Sequence, residues 1–157
     1  MFGELKPAEI ESFLGEQLVG RIGCHVNDKT YVVPVSYAYD GRDILVHSLE
    51  GMKVDMMRKN PSVCFQVDDT RNLSEWKSVI CWGKFEEIKD KKEMQQALQH
   101  LNNRIAPHMI SQTMHMNPEY PFTSSDVEEI EGIFFRIRLK EKTGRFERPS
   151  SVSKNKY

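Results

Sequence analysis

Cysteine is scarce in this chain, and the little it has cannot form a framework. Cys24, Cys64 and Cys81 are odd in number, far apart and set in apolar runs. Neither a disulfide scaffold nor a C-x-x-C metal pair can be built from them, and they read as free thiols acting as small hydrophobes. No apolar run approaches the ~18 residues a membrane-crossing helix needs. Met1-Phe2-Gly3-Glu4 lacks the basic flank and apolar stretch of a secretion signal. Charge of one sign is missing as well, with 22 Lys and Arg against 23 Asp and Glu. That balance leaves no electrostatic case for nucleic acid or an anionic membrane as partner. A reducing cytoplasm is the expected location. No G-x-G-x-x-G follows a strand and no strand–helix alternation runs through the chain, which excludes a doubly wound dinucleotide fold.

What the chain does have is a core. It is 157 residues long, 39% apolar and 10% aromatic, with eight Phe, five Tyr and two Trp, enough for one compact domain and too much for disorder. Pro7, Ile10, Phe13, Leu14 and Leu18 have helical spacing with proline in the first turn. Ile22, Cys24 and Val26 then alternate as a strand, and Asn27-Asp28 reads as a hairpin turn. From Thr30 to Tyr39, Tyr31, Val33, Val35, Tyr37 and Tyr39 share a face, with Pro34 and Ser36 opposite. A proline there demands an edge or a bulge. Asp40-Gly41 turns the chain into the strand Ile44–Ser48, and Val54–Lys59 is a short helix ended by Asn60-Pro61.

Val63, Phe65 and Val67 form the next strand, residues 69–75 read as a polar loop, and Trp76–Phe85 is a long strand. Trp76, Ser78, Ile80 and Trp82 face one way there, and Val79, Cys81 and Phe85 the other. A helix starting near Asp90 carries Met94, Leu98, Leu101 and Ile105, with Asp90 and Glu93 as a capping box. Ile133, Phe135, Ile137 and Leu139 form the last strand. Residues 106–125 read as a long loop, and its Met109, Met114, Met116, Tyr120 and Phe122 suit either a cover for one end of the fold or a substrate wall. The expectation is a mainly β fold over residues 1–148, with a disordered tail at 149–157. Its six antiparallel strands curl into a small barrel with flanking helices.

His100, His108 and His115, spaced by eight and seven residues, lack any zinc spacing and read as surface or loop histidines, so no metal is expected. Ser36, His47 and Asp55 have no nucleophile elbow around them. The informative segment is His47-Ser48-Leu49-Glu50-Gly51-Met52-Lys53. There a strand end, a hydroxyl, a glycine and a lysine meet at a helix start, a combination suited to a phosphate. An ordinary strand–helix turn with a solvated lysine is the plainer alternative.

Four segments carry a resemblance: Tyr31 to Ser48 (YVVPVSYAYDGRDILVHS), Gly51-Met52-Lys53, Arg58 to Asp68 (RKNPSVCFQVD) and Ser78 to Lys84 (SVICWGK). In this order they resemble the flavin-binding split-barrel superfamily. Within it they are most similar to the pyridoxamine 5′-phosphate oxidase-related proteins that include the nitroimidazole-resistance family. The resemblance implies a homodimer of six-stranded split barrels holding one FMN in each of two interface clefts. It implies that Pro34, Val35, Ser36 and Tyr37 line the isoalloxazine ring. His47 and Ser48 would sit beside the ribityl-phosphate, Lys53 would pair with the phosphate, and Ser78 and Trp82 would approach from the partner. Met52 also belongs to this cofactor-binding set, standing where many relatives carry a basic or imidazole residue. The C-terminal run Lys142–Arg148 lacks histidine, which argues against vitamin B6 oxidation. The implied activity is reduction of a small acceptor such as a nitroaromatic, with a small-molecule donor such as NAD(P)H. A flavin-storage protein and a haem-binding relative are the alternatives.

Overall fold

The structure is a computed structural model that describes residues 1–105 and 124–150. The expected 106–125 loop and 149–157 tail therefore lie almost wholly outside the described residues, as do His108 and His115. Among the described residues eleven elements follow in order: β1 (Phe2–Glu4), α1 (Pro7–Glu16), β2 (Val19–Val26), β3 (Lys29–Ser36), β4 (Ala38–Tyr39), β5 (Asp43–Ser48), α2 (Met52–Lys59), β6 (Ser62–Asn72), β7 (Glu75–Ile88), α3 (Lys91–Ile105) and β8 (Ile133–Glu147). The strands form one eight-stranded antiparallel sheet of order β3-β2-β6-β7-β8-β5-β4, with β1 added against β8. The ends of that order, β3 and β4, are joined covalently through the single residue Tyr37, so the sheet curls to bring the end of β3 next to the start of β4, with no ladder between the two.

Among the described residues eight strands stand where six were expected, for two physical reasons. The Thr30–Tyr39 run breaks at Tyr37: its backbone N–H turns to the Leu18 carbonyl (3.2 Å), and Ala38–Tyr39 changes partner from β2 to β5. β1 is only three residues long and carries no alternation. Residues 69–72, expected as loop, extend β6, and the turn shrinks to Leu73-Ser74. Both faces of that extension are polar and overhang the core, held by Arg71 against Glu75 (3.0 Å) and Asp69 (3.8 Å).

Local chemistry places the turns. Asn27 and Asp28 both have positive φ (50° and 60°), which their short polar side chains tolerate. Asp40 accepts the N–H groups of Arg42 and Asp43 through Oδ1. Asp90 caps α3 by accepting the Glu93 N–H at 3.0 Å, but the Glu93 carboxylate bonds Arg136 of β8 rather than completing a capping box. Inside the curl lie Ile22, Val35, Tyr37, Ile44, Val46, Met57, Phe65, Val79, Cys81 and Phe135, closed at one end by Phe13 and Leu14 of α1. α3 covers a second cluster with Leu45, Ile88, Leu98, Leu101 and Phe134. All three cysteines are free thiols; Cys24 and Cys81 are buried and Cys64 half-buried.

Candidate functional site

The expected site residues fall into two groups. The first lies on the outer face of the β3-β2-β6-β7 run. Register fixes this face: Pro34 pairs with Arg21, Arg21 with Gln66 and Gln66 with Ile80, and the next row is Val32, Gly23, Cys64 and Trp82. Ser36, opposite Val19, and Ser78, opposite Asp68, extend it. Pro34 sits in edge strand β3, where its missing N–H costs no ladder bond. The face is notably apolar for an open surface: Val32 is 60% exposed, Val19 50%, Trp82 42% and Ile80 38%. Trp76 belongs to it less, because Phe2 lies against its ring (6.0 Å) and Glu147 takes its indole N–H at 3.1 Å.

Val35 and Tyr37 are not brought to that face by their side chains. Val35 is in the core, and the Tyr37 ring meets Phe65 edge-on at 4.8 Å while its hydroxyl donates to the Leu14 carbonyl at 2.6 Å. Burial pushes the Tyr37 phenol well above its ordinary pKa. The Tyr37 N–H is itself given to the Leu18 carbonyl, and Val35 pairs with Gly20 of β2. Sequence reasoning did not single out Arg21, which stands at the centre of the face, donating to Asp68 at 2.8 Å and Gln66 at 3.4 Å. Its signal was legible: it is the one charged outward residue in the first turns of an apolar strand.

The second group is the junction of β5 and α2. His47 and Ser48 point to opposite faces of β5. His47 packs on Phe134 (4.9 Å) and donates from Nε2 to the Glu131 carbonyl at 2.7 Å. Burial depresses its pKa, and the Glu131 hydrogen bond pulls the other way. Ser48 is buried and donates to the Leu49 carbonyl at 2.8 Å, so it braces the turn. α2 then begins at Gly51 with no side-chain cap, and a Cβ on Gly51 would meet only open space. Met52 is exposed. Lys53 is half-buried and has no ion-pair or hydrogen-bond partner among the described residues.

The electrostatics of this junction favour an anion. Glu50, just before Gly51, is neutralised by Arg58, which bonds it at 2.7 and 2.9 Å and also reaches Glu87 at 3.0 Å, while Asp55 in the first turn of α2 is exposed and has no ion-pair partner among the described residues. Those hydrogen bonds hold the Glu50 carboxyl below the usual range. What remains open is an uncapped helix N-terminus, clear space over a glycine and an ammonium without a partner, which fits a phosphate. A flavin nucleotide carries such a group, so the residues present fit it.

An antiparallel curled sheet with an anion-ready strand–helix junction and an apolar outer face defines the class to which the comparisons then give a family. The sequence model of the family described as pyridoxamine 5′-phosphate oxidase matches residues 6–146, and the chain belongs to that family. Among curated proteins it is similar to an uncharacterised protein of Rhizobium meliloti, 36% identical over 70 residues. That match spans 45% of this chain and 46% of the relative, less than half the relative's length. Among solved structures it is similar to a FAD-binding protein of Mesorhizobium loti (29% identity, 93% of this chain and 98% of that one, TM-score 0.71). It also shares its fold with a putative 5-nitroimidazole antibiotic resistance protein of Bacteroides thetaiotaomicron (21% identity, 93% and 87% coverage, TM-score 0.68). Among the described residues no helix is long and apolar enough to cross a membrane, and no cluster of three or more potential metal ligands occurs.

Proposed function

We propose that this protein binds a flavin nucleotide between two copies of the chain, each a split barrel, and acts as a cytoplasmic oxidoreductase on a small acceptor such as a nitroaromatic. The observation that carries this reading is that one chain holds both Lys53, unpaired among the described residues at the open N-terminus of α2, and an exposed apolar sheet face bearing Ile80 and Trp82. In the assembly we propose, Ser78 and Trp82 of a second copy reach the ligand whose phosphate meets Lys53. The exposed apolar face around Trp82 supports that assembly. The Mesorhizobium loti relative, described as FAD-binding, supports the cofactor class.

In this arrangement Lys53 and the first N–H groups of α2 hold the phosphate. β3, being an edge, offers its outward N–H and C=O groups to the polar rim of a ring lying along Pro34–Tyr37. Trp82 supplies an apolar wall that excludes water. The bound flavin supplies two-electron transfer, which the protein orients. The test is to denature the purified protein and identify what it releases. A flavin by mass spectrometry, with flavin absorbance bleached by NAD(P)H, supports the reductase. A flavin that no nicotinamide bleaches leaves a carrier, and a Soret band or no chromophore overturns the reading.

A further inference from the structure

A polar cavity between α3 and the β4–β5 turn has no part in the flavin reading. Its volume is about 220 Å³, below the ~300–1,000 Å³ of drug-sized sites. At ~30 Å³ per water it has room for about seven water-sized groups, so its ligand is small. Leu45, Ile88 and Ala97 form an apolar floor, and Asp40, Arg42, Glu93, Gln96, His100 and Arg136 form the wall. Helical spacing makes the α3 side, since Glu93, Gln96, Ala97 and His100 stand at i, i+3, i+4 and i+7. Strand pairing makes the other side, where Leu45 of β5 is the register partner of Arg136 of β8.

The wall carries two charges of each sign, and none is fully used. Arg136 is only 8% exposed. It gives Nη2 to Glu93, while its Nε has no hydrogen bond and meets Glu86 only at 3.7 Å. A buried guanidinium with an unbonded donor is undercompensated, and an anionic ligand group beside it offsets that cost. Arg42 bonds Asp43 through Nε and Nη2, at 3.3 and 3.2 Å. Asp40 is engaged through Oδ1, by the N–H groups of Arg42 and Asp43, and Glu93 through Oε2. Gln96 and His100 have no hydrogen-bond partner among the described residues. Equal numbers of opposite charges disfavour a ligand of one sign and match a ligand carrying both.

We propose that this cavity binds a small zwitterion of the α-amino-acid class. The ligand carboxylate meets Arg42 and Arg136, its ammonium meets Asp40 and Glu93, and Gln96 and His100 serve a short polar side chain. The site stands or falls independently of the flavin reading.

Calorimetric titration of the full chain tests it with L-serine and two compounds that each keep one of its charged groups, 3-hydroxypropionate and ethanolamine. Serine should bind wild type at least about tenfold more tightly than either. Two changes at exposed wall positions should each weaken serine at least about tenfold: Arg42→Gln, and Asp40→Asn, which retains the Oδ1 acceptor of the turn. Arg42→Gln should leave ethanolamine binding unchanged, and Asp40→Asn should leave 3-hydroxypropionate binding unchanged. No binding of serine to wild type up to about 10 mM, or a single-charge compound binding as tightly as serine, overturns the proposal. Both of those results are read on wild type and need no folded variant. Serine binding to both variants as tightly as to wild type overturns it as well.

Discussion

Neighbouring residues in β3 do different work because a strand alternates. Pro34 and Ser36 face outward beside Arg21 and Val19, whereas Val35 and Tyr37 complete the core. The same parity divides His47 from Ser48 in β5, and only the short run from Gly51 to Lys53 escapes it by leaving the strand. At this scale His47 gives a pH-dependent prediction. Burial sets its folded pKa below the ordinary value of 6.5, so the unfolded chain binds the proton more tightly. The stability it contributes is complete above about pH 6.5 and is lost as pH falls through the folded value. Denaturant midpoints measured from about pH 7 to 5 should fall more steeply for wild type than for His47→Gln; parallel slopes would refute the assignment. Lys142, Glu11 and Tyr39 form a second polar cluster, tying β8 to α1 and β4. Burial there raises the Tyr39 phenol to about 12, aided by its bond to Glu11.

Elements with one buried face were legible in the sequence, and those without one were not. Ile22, Cys24, Phe65, Val67, Val79 and Cys81 alternate as core residues and gave β2, β6 and β7. The second half of β8 was missed because its inward positions near the end carry a glycine at 144 and a single aromatic, Phe146, among charged residues. Gly144 is small because Leu5 presses against it: a Cβ there would lie 2.8 Å from Leu5. Glycine also explains the bulge where Lys140 is left without a partner between Trp82 and Gly83 of β7. A Cβ on Gly83 would stand 2.3 Å from the Arg138 carbonyl oxygen, backbone that cannot move aside cheaply. Gly83→Ala should therefore destabilise by ~1–3 kcal/mol in denaturant titration. Gly15→Ala, on α1 with nothing within 4 Å, should stabilise by ~0.5–1 kcal/mol. A neutral Gly83→Ala would show that the bulge is not packed as described.

For the whole molecule, the sheet's curl follows from Tyr37, which lets one run of chain serve as both end strands of the sheet. The sequence carried the segment order and the strand–helix junction of β5 and α2, because both are local. It did not carry the outer face as a unit, because Val19, Val32, Arg21 and Trp82 come together only through strand register. If that face joins two copies, light scattering should give a mass near twice 18.3 kDa for wild type. Trp82→Glu should shift it to one chain and release the flavin. A wild-type mass of one chain would sink the dimer. The central claim, a flavin phosphate held by Lys53, is tested most directly by comparing FMN with riboflavin, which lacks the phosphate. A charge-assisted contact is worth ~1.5–3 kcal/mol, so Lys53→Ala should weaken FMN about tenfold to a hundredfold at low salt. Riboflavin should bind the variant and wild type alike, and Lys59→Ala should alter neither affinity. FMN binding to Lys53→Ala as tightly as to wild type would contradict the account.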